Sequence, residues 1–220
     1  DADDDELLLS VTRRWRGMGT AVMEHQTEQA PAEHDRWDFL LRAWHEVDMP
    51  DGWRAEIREV GIVLVPPPAP RHNDTAELIT RQLHRALPDD IAVHQGTGVA
   101  IPERLRLRAP DLAVFPRTAL PERRGDALDP EAVRLVVEIA SKGNADDDRG
   151  AKKHDYAAAG IPLYLLVDAY DPRGPRITLY SAPRGTDYAD SHAVEWGEPI
   201  ELPEPFELKL DTGGFLIPTD

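Results

Sequence analysis

A glutamate stands in the middle of VRLVVEIAS, residues 133–141, a run that otherwise reads as a strand buried on both faces. Burying Glu138 there costs on the order of several kcal/mol unless a metal, a partner charge or a proton compensates it. An acid in such a place marks a candidate site. A second acid, Asp111, follows Pro110 at the entrance of another apolar run, LAVF. A third element, DRGAKKHDYAAAG, spaces Asp148, Lys152 and Tyr156 at i, i+4 and i+8, so a helix there carries all three on one face. Two carboxylates from adjacent strands can hold a divalent cation through oxygen, and Mg²⁺ takes one or two carboxylates together with waters and substrate phosphate. Such an ion acidifies a water and stabilises charge on a phosphodiester. A nearby lysine would position the nucleophile or steady the transition state.

The elements that must position these residues follow from pattern. Trp37, Leu40, Leu41 and Trp44 recur at helical spacing and predict a helix over 33–47. Pro50-Asp51-Gly52 is a turn signal. WRAEIREVGIVLV predicts two short strands hinged near Gly61, ended by the prolines at 66–68. A helix is expected over 73–87, with Leu78, Ile79, Leu83 and Leu87 on one face and Asn73 or Asp74 as its cap. Strands are expected at 91–94, 104–108, 112–115 and, centrally, 133–140. A helix over 146–159 should stop at Gly160 and lead into a strand at 163–167. From Pro175 onward, short strands alternate with Pro and Gly turns. This order predicts a mixed α/β domain with one sheet flanked by helices. Residues 1–30 read as an acidic, weakly ordered extension and 31–220 as one domain.

Composition sets the limits. A chain of 220 residues suits one domain with a full core, or one domain plus extensions. No apolar run approaches the roughly 18 residues that span a bilayer, so no membrane partner is expected. No signal-peptide pattern is read. The chain has no cysteine, which removes disulfides and thiolate metal sites and fits a cytoplasmic protein. The formal net charge of -16 argues against non-specific nucleic-acid binding, which leaves a basic footprint. Charge is unevenly spread, however. The start, DADDDE, is acidic, while Arg104, Arg106, Arg108, Arg117, Arg123 and Arg124 make residues 104–124 locally basic.

PDLAVF, then LVVEIAS, then DRGAKKHDYAAAGIPLYLLVD resembles the Uma-two family of restriction-endonuclease-like proteins, within the PD-(D/E)XK nuclease superfamily. Upstream, WRAEIREVGIVLVPPPAPRHN looks like the family's opening. The resemblance covers roughly residues 51–168, and the block from Glu138 to Asp168 is its most specific part. It implies a restriction-endonuclease-like core: a mixed central β-sheet flanked by helices, here with extra C-terminal strands. It also implies a Mg²⁺-dependent DNA endonuclease in which Mn²⁺ can substitute. Asp111 and Glu138 match the metal-binding acids, Lys152 the family's helix lysine, and Glu56 the upstream acid that completes the metal shell. Ser141 and Tyr156 match recurrent positions. Many nucleases of this fold cut duplexes as dimers, so the resemblance implies a possible homodimer. The sequence departs from the superfamily pattern at Ala140, which stands where the usual lysine would lie, and Lys142 and Lys153 compete with Lys152 for its role. The glycine turn after Glu56 is also shifted.

Each feature has a plainer alternative. Glu138 could be satisfied by arginine or backbone donors, and Asp111 could cap a strand entrance. Lys152 could pair with Asp148 on a solvated helix face, and Glu56 with Arg58. Asp146, Asp147 and Asp148 read as an acidic helix start that complements the dipole. His72 either lines the site or lies on the surface. Arg104, Arg106 and Arg108 alternate with leucines, and either guide phosphates or balance nearby acids. No HExxH, GxSxG or P-loop occurs. The competing function is a catalytically weakened nuclease-fold module that binds nucleic acid or a protein partner.

Overall fold

The computed structural model describes residues 21–23, 33–122 and 126–217, with side chains from residue 36 onward. The acidic start, together with Arg123 and Arg124, lies outside the described residues. The helix predicted from the Trp37/Trp44 stripe is α1, Glu33–Glu46. Trp37 packs with Ala55, Ile57, Ile62 and Leu107, and Trp44 donates its ring N–H to the Ala55 carbonyl at 2.8 Å. The two strands hinged at Gly61 are β2, Arg54–Arg58, and β3, Gly61–Val65. A short strand from the N-terminal extension, β1 (Ala21–Met23), pairs antiparallel with β3.

The second helix, α2, spans Pro70–Ala86 and begins three residues before the predicted start. Its first position is Pro70, whose missing N–H costs nothing there and whose fixed φ already suits a helix. Asn73 and Asp74 therefore lie inside the first turns, and Ala69 is the cap. Next come β4 (Ile91–His94), β5 (Val99–Ile101), β6 (Arg106–Arg108), β7 (Leu112–Pro116) and β8 (Leu135–Ile139). The strand expected from Arg104 starts only at Arg106. Arg104 closes a 3₁₀ turn and Leu105 is left-handed at φ 53°, which breaks the strict alternation.

A helical run over 145–158, called α3, follows β8; its central turn, Asp148–Lys152, is a π-turn. Gly160, left-handed at φ 72°, ends it. The chain then enters β9 (Leu163–Asp168), β10 (Arg176–Arg184), β11 (Asp187–Glu195), β12 (Ile200–Leu202) and β13 (Leu208–Leu210).

The strands form more than the single sheet expected. The central sheet runs β11-β10-β9-β8-β7-β4, with β8 and β9 parallel and the other pairs antiparallel. A second sheet runs β1-β3-β2-β6-β5, and β12 and β13 pair alone. Length and hydrophobicity do not say which strands pair. The β5–β6 hairpin joins β2 and leaves β4 and β7 to pair with each other.

In β8, Leu135, Val137 and Ile139 pack against α2 residues such as Ile79 and Leu83. Val136 and the following Ala140 pack with Tyr156 and Ala157 of α3. Covered on both faces, the strand can be apolar throughout, as its sequence demanded. Because alternate residues face opposite sides, Glu138 belongs to the α3 side. Phe206, Leu210 and Phe215 complete the α2 side, which gives the C-terminal strands their structural purpose.

Candidate active site

The two acids meet where β7 begins and β8 ends. Leu112 is partnered with Val137, so the chain before Leu112 runs alongside the residues just after Val137. There the Asp111 carboxylate takes over from the ladder: its Oδ2 accepts the backbone N–H of Ile139 at 2.8 Å. The same oxygen meets His72 Nε2, from the first turn of α2, at 2.9 Å. Oδ1 has a longer contact, 3.3 Å, with Arg54 of β2.

Glu138 points into α3. Lys152 Nζ donates to its Oε2 at 2.8 Å and the Tyr156 hydroxyl to its Oε1 at 2.6 Å. Lys152 also stands 2.9 Å from Asp148 Oδ1, although neither Asp148 oxygen makes a well-directed hydrogen bond among the described residues. The π-turn runs from Asp148 to Lys152, placing both side chains on the buried face of α3. Such turns recur at functional sites. Glu138, Asp148, Lys152 and Tyr156 are all buried.

The electrostatics follow from this arrangement. Burial pushes the Glu138 carboxyl up to about 8; Lys152 opposes this, while the charges of Asp148 and Asp111 reinforce it. Asp148 is raised too, chiefly by burial. Burial also works against the Lys152 charge, but Asp148, Glu138, Glu56 and Asp111 outweigh it and hold the ammonium well above the ordinary lysine range. Asp111 goes the opposite way. Burial raises it, yet the hydrogen bond and charge of His72, together with Lys152 and Arg54, bring it down to about 2.

Glu56, on β2, is buried beside this centre with both oxygens engaged. Oε1 accepts the Ala109 N–H at 3.2 Å, and Oε2 accepts from Arg58 at 2.7 Å and Arg108 at 3.3 Å. Burial raises its pKa, but Lys152, Arg108 and Arg58 take it to about 2. The structure thus gathers Asp111, Glu138 and Lys152, and sets Glu56 within reach of the Lys152 charge, with Oε1 on the Ala109 N–H and Oε2 on two arginines. Ser141 sits just past β8, where its hydroxyl donates to Asn144 at 2.7 Å. Among the described residues, no three His, Cys, Asp or Glu side chains form a ready-made cation cage.

The model of the Uma2 family, described as "Putative restriction endonuclease", matches residues 37–213. The chain belongs to the Uma2 family. No curated protein matches it. Among solved structures it is similar to "a putative nuclease belonging to DUF820 from Anabaena variabilis", with a TM-score of 0.60 at 14% identity, covering 80% of this chain and 96% of that one. That likeness shows that the chain shares the fold of that protein, a mixed sheet with helices on both faces, as expected for a family described as restriction endonucleases. No described helix is long and apolar enough to cross a membrane.

Within this Uma2 fold, several residues play parts that their sequence context concealed. Asp148 reads as one of three exposed helix-start acids, yet it is fully buried while Asp146 is fully exposed. The signal was there in its i, i+4, i+8 spacing with Lys152 and Tyr156. His72 is buried on Asp111 rather than exposed. Arg104 and Arg108 do not form a solvent-facing phosphate stripe. Both bind Asp155, at 2.7 and 2.8 Å, and Arg108 is buried and also reaches Glu56 and Asp147. Asp155 was unmarked in sequence, and the alternating arginines were its signal. Nothing local in the sequence sets Arg54 apart from the other arginines, and only the fold brings it to Asp111.

Proposed function

We propose that this chain is a Mg²⁺-dependent DNA endonuclease, with Mn²⁺ able to substitute. The observation that carries this reading is the 2.8 Å bond from Ile139 N–H to Asp111. It fixes one acid beside the backbone of the residue that follows the other, with Lys152 2.8 Å from Glu138. The donor set is all oxygen, and two carboxylates with water and substrate phosphate suffice for Mg²⁺, so no third protein ligand is required. Asp111 and Glu138 would hold the ion, and Glu56 would complete the shell on releasing Arg58 and Arg108 from Oε2. A bound cation would lower the pKa of water and offset charge on the phosphodiester.

The protein's own groups have definite tasks. His72 and the Ile139 N–H orient Asp111 so that Oδ1 is the oxygen left lightly engaged. Tyr156 and Lys152 grip both oxygens of Glu138 and fix its rotamer. Lys152 keeps its proton under the field of four acids and serves as a positioned cation toward the nucleophilic water and the phosphate. It enters from α3 on the side of the sheet that Ala140 occupies, and so supplies from a helix the charge that a strand lysine would have supplied.

One observation favours the alternative, a catalytically weakened module that binds nucleic acid or a protein. Glu138 is enclosed by Lys152 and Tyr156 and is held protonated up to about pH 8. Calorimetric titration of the native chain and Glu138→Gln with Mg²⁺ and Mn²⁺, followed by incubation with plasmid DNA, separates the two. Metal binding and DNA nicking that both vanish in the variant support the nuclease. Identical titrations of both proteins, with no nicking, leave the binding module.

A further inference from the structure

A cleft of ≈ 200 Å³ opens beside Asp111, lined by Arg54, His72, Asn73, Gln95, Gly96 and Asp111 among others. Ligand pockets for whole small molecules run to roughly 300–1,000 Å³, so this cleft suits a chemical group rather than a nucleotide. Its charge is unlike that of the chain as a whole. The net charge is -16, yet in the cleft the one acid, Asp111, is matched by the guanidinium of Arg54.

Arg54 is loosely bonded at its guanidinium. Its contacts are long: 3.3 Å to the Ala109 carbonyl, 3.5 Å to that of Pro110 and 3.3 Å to Asp111. Charge-assisted bonds of a satisfied guanidinium are nearer 2.7–2.9 Å, and the group offers five donors. Its stem is nevertheless fixed. Gly96 is left-handed at φ +63°, and a Cβ there would stand 3.1 Å from Arg54 Cδ, so glycine lets the loop close over the side chain. His72 adds a second observation. It is buried and spends Nε2 on Asp111, while Nδ1 is buried without a partner among the described residues. Buried polar atoms are seldom left that way, and a water, which can donate or accept, would satisfy it.

We infer that this cleft is a phosphodiester subsite, and that Arg54 is the positioning residue that grips one phosphate of a nucleic-acid strand next to the group at Asp111 and Glu138. The guanidinium fork matches two phosphate oxygens, and Gln95, exposed at the rim, borders the same group. This rests on the nuclease reading but is tested without catalysis.

The experiment is fluorescence anisotropy with a labelled single-stranded DNA of about a dozen nucleotides, in EDTA, across a salt series. Arg54→Gln should weaken binding about tenfold and reduce the slope of log K against log salt by about 0.7, the loss of one phosphate contact on a single strand. Gln95→Glu, at an exposed position that leaves the Arg54 contacts intact, should weaken binding several-fold at an unchanged melting temperature. Arg117→Gln, on an arginine bound to the Asp89 carbonyl away from the cleft, should bind as the native chain does. Native-like binding by Gln95→Glu and Arg54→Gln overturns the inference. So does a native chain that binds inorganic phosphate but no DNA. Nicking of plasmid by the native chain with Mg²⁺ is scored separately, so the nuclease reading can stand when the subsite fails, and the subsite can stand when no nicking occurs.

Discussion

Lys152 and Glu138 face each other across the gap between α3 and β8, 2.8 Å apart and both buried. The contact joins the residue before the end of β8 to the last residue of the π-turn, so the helix following the strand carries the cation that the strand lacks. Asp148 shares that cation at 2.9 Å. One ammonium therefore stands against two carboxyl groups that are otherwise enclosed.

Replacing Lys152 by Met leaves Glu138 and Asp148 buried with no positive partner. Breaking a buried pair in this way costs about 3–5 kcal/mol. Urea denaturation near pH 7 should show a loss of that order. Combining Lys152→Met with Asp148→Leu should restore part of it, because the second change removes one stranded charge. Additive losses would mean that the two residues do not share a charge.

The pH dependence of the metal-free protein carries the mark of Glu138. Its folded pKa, about 8, lies above its ordinary value of 4.5, so between these limits the folded state binds more protons than the unfolded one. By linkage, this group's contribution to stability falls as pH rises from about 4.5 to about 8, by an amount on the order of a few kcal/mol. Denaturation at pH 5, 6.5 and 8 should show a shallower decline in Glu138→Gln than in the native chain. Parallel declines would remove Glu138 as the cause.

Glu56 has the opposite sign. Its folded pKa, about 2, lies below 4.5, so its stabilisation is complete above pH 4.5 and disappears as pH falls toward 2. Glu56→Gln should be less stable than the native chain at pH 7 but should lose less on acidification to pH 3. Circular dichroism melts at the two pH values read this directly.

The arginines of β6 divide by burial. Arg108 holds Asp155, Glu56 and Asp147 from the interior, and Arg108→Ala should cost about 3–5 kcal/mol. Arg106 meets Glu59 at 3.5 Å and Asp155 at 3.9 Å, long contacts from a partly exposed side chain, and Arg106→Ala should cost no more than about 1 kcal/mol. Since Arg106 faces protein acids, the variant should keep the native salt dependence of DNA binding. A flattened slope would restore it as a phosphate contact.

Local sequence was enough to place α1, β2, β3, β4, β7, β8 and β9 and to single out Asp111, Glu138 and Lys152. The reason is that each signal is short-range: the pitch of an apolar stripe, a glycine stop, an acid inside an apolar run, a lysine one turn from an aspartate. The unbroken apolar run of β8 also required cover on both faces, and α2 and α3 provide it. Tertiary structure alone decided the pairings. That β5 and β6 join β2 in a second sheet depends on contacts between residues some 50 positions apart, as in Ile57 with Leu107. The same distance hides the partners of the charges. Asp155 takes Arg104 and Arg108, His72 takes Asp111, and Arg54 leans over the cleft, each bond joining segments whose spacing in the chain says nothing of their meeting. Sequence shows which residues must find compensation, because burial cost belongs to the residue and its neighbours. Which group supplies it is a property of how distant segments pack.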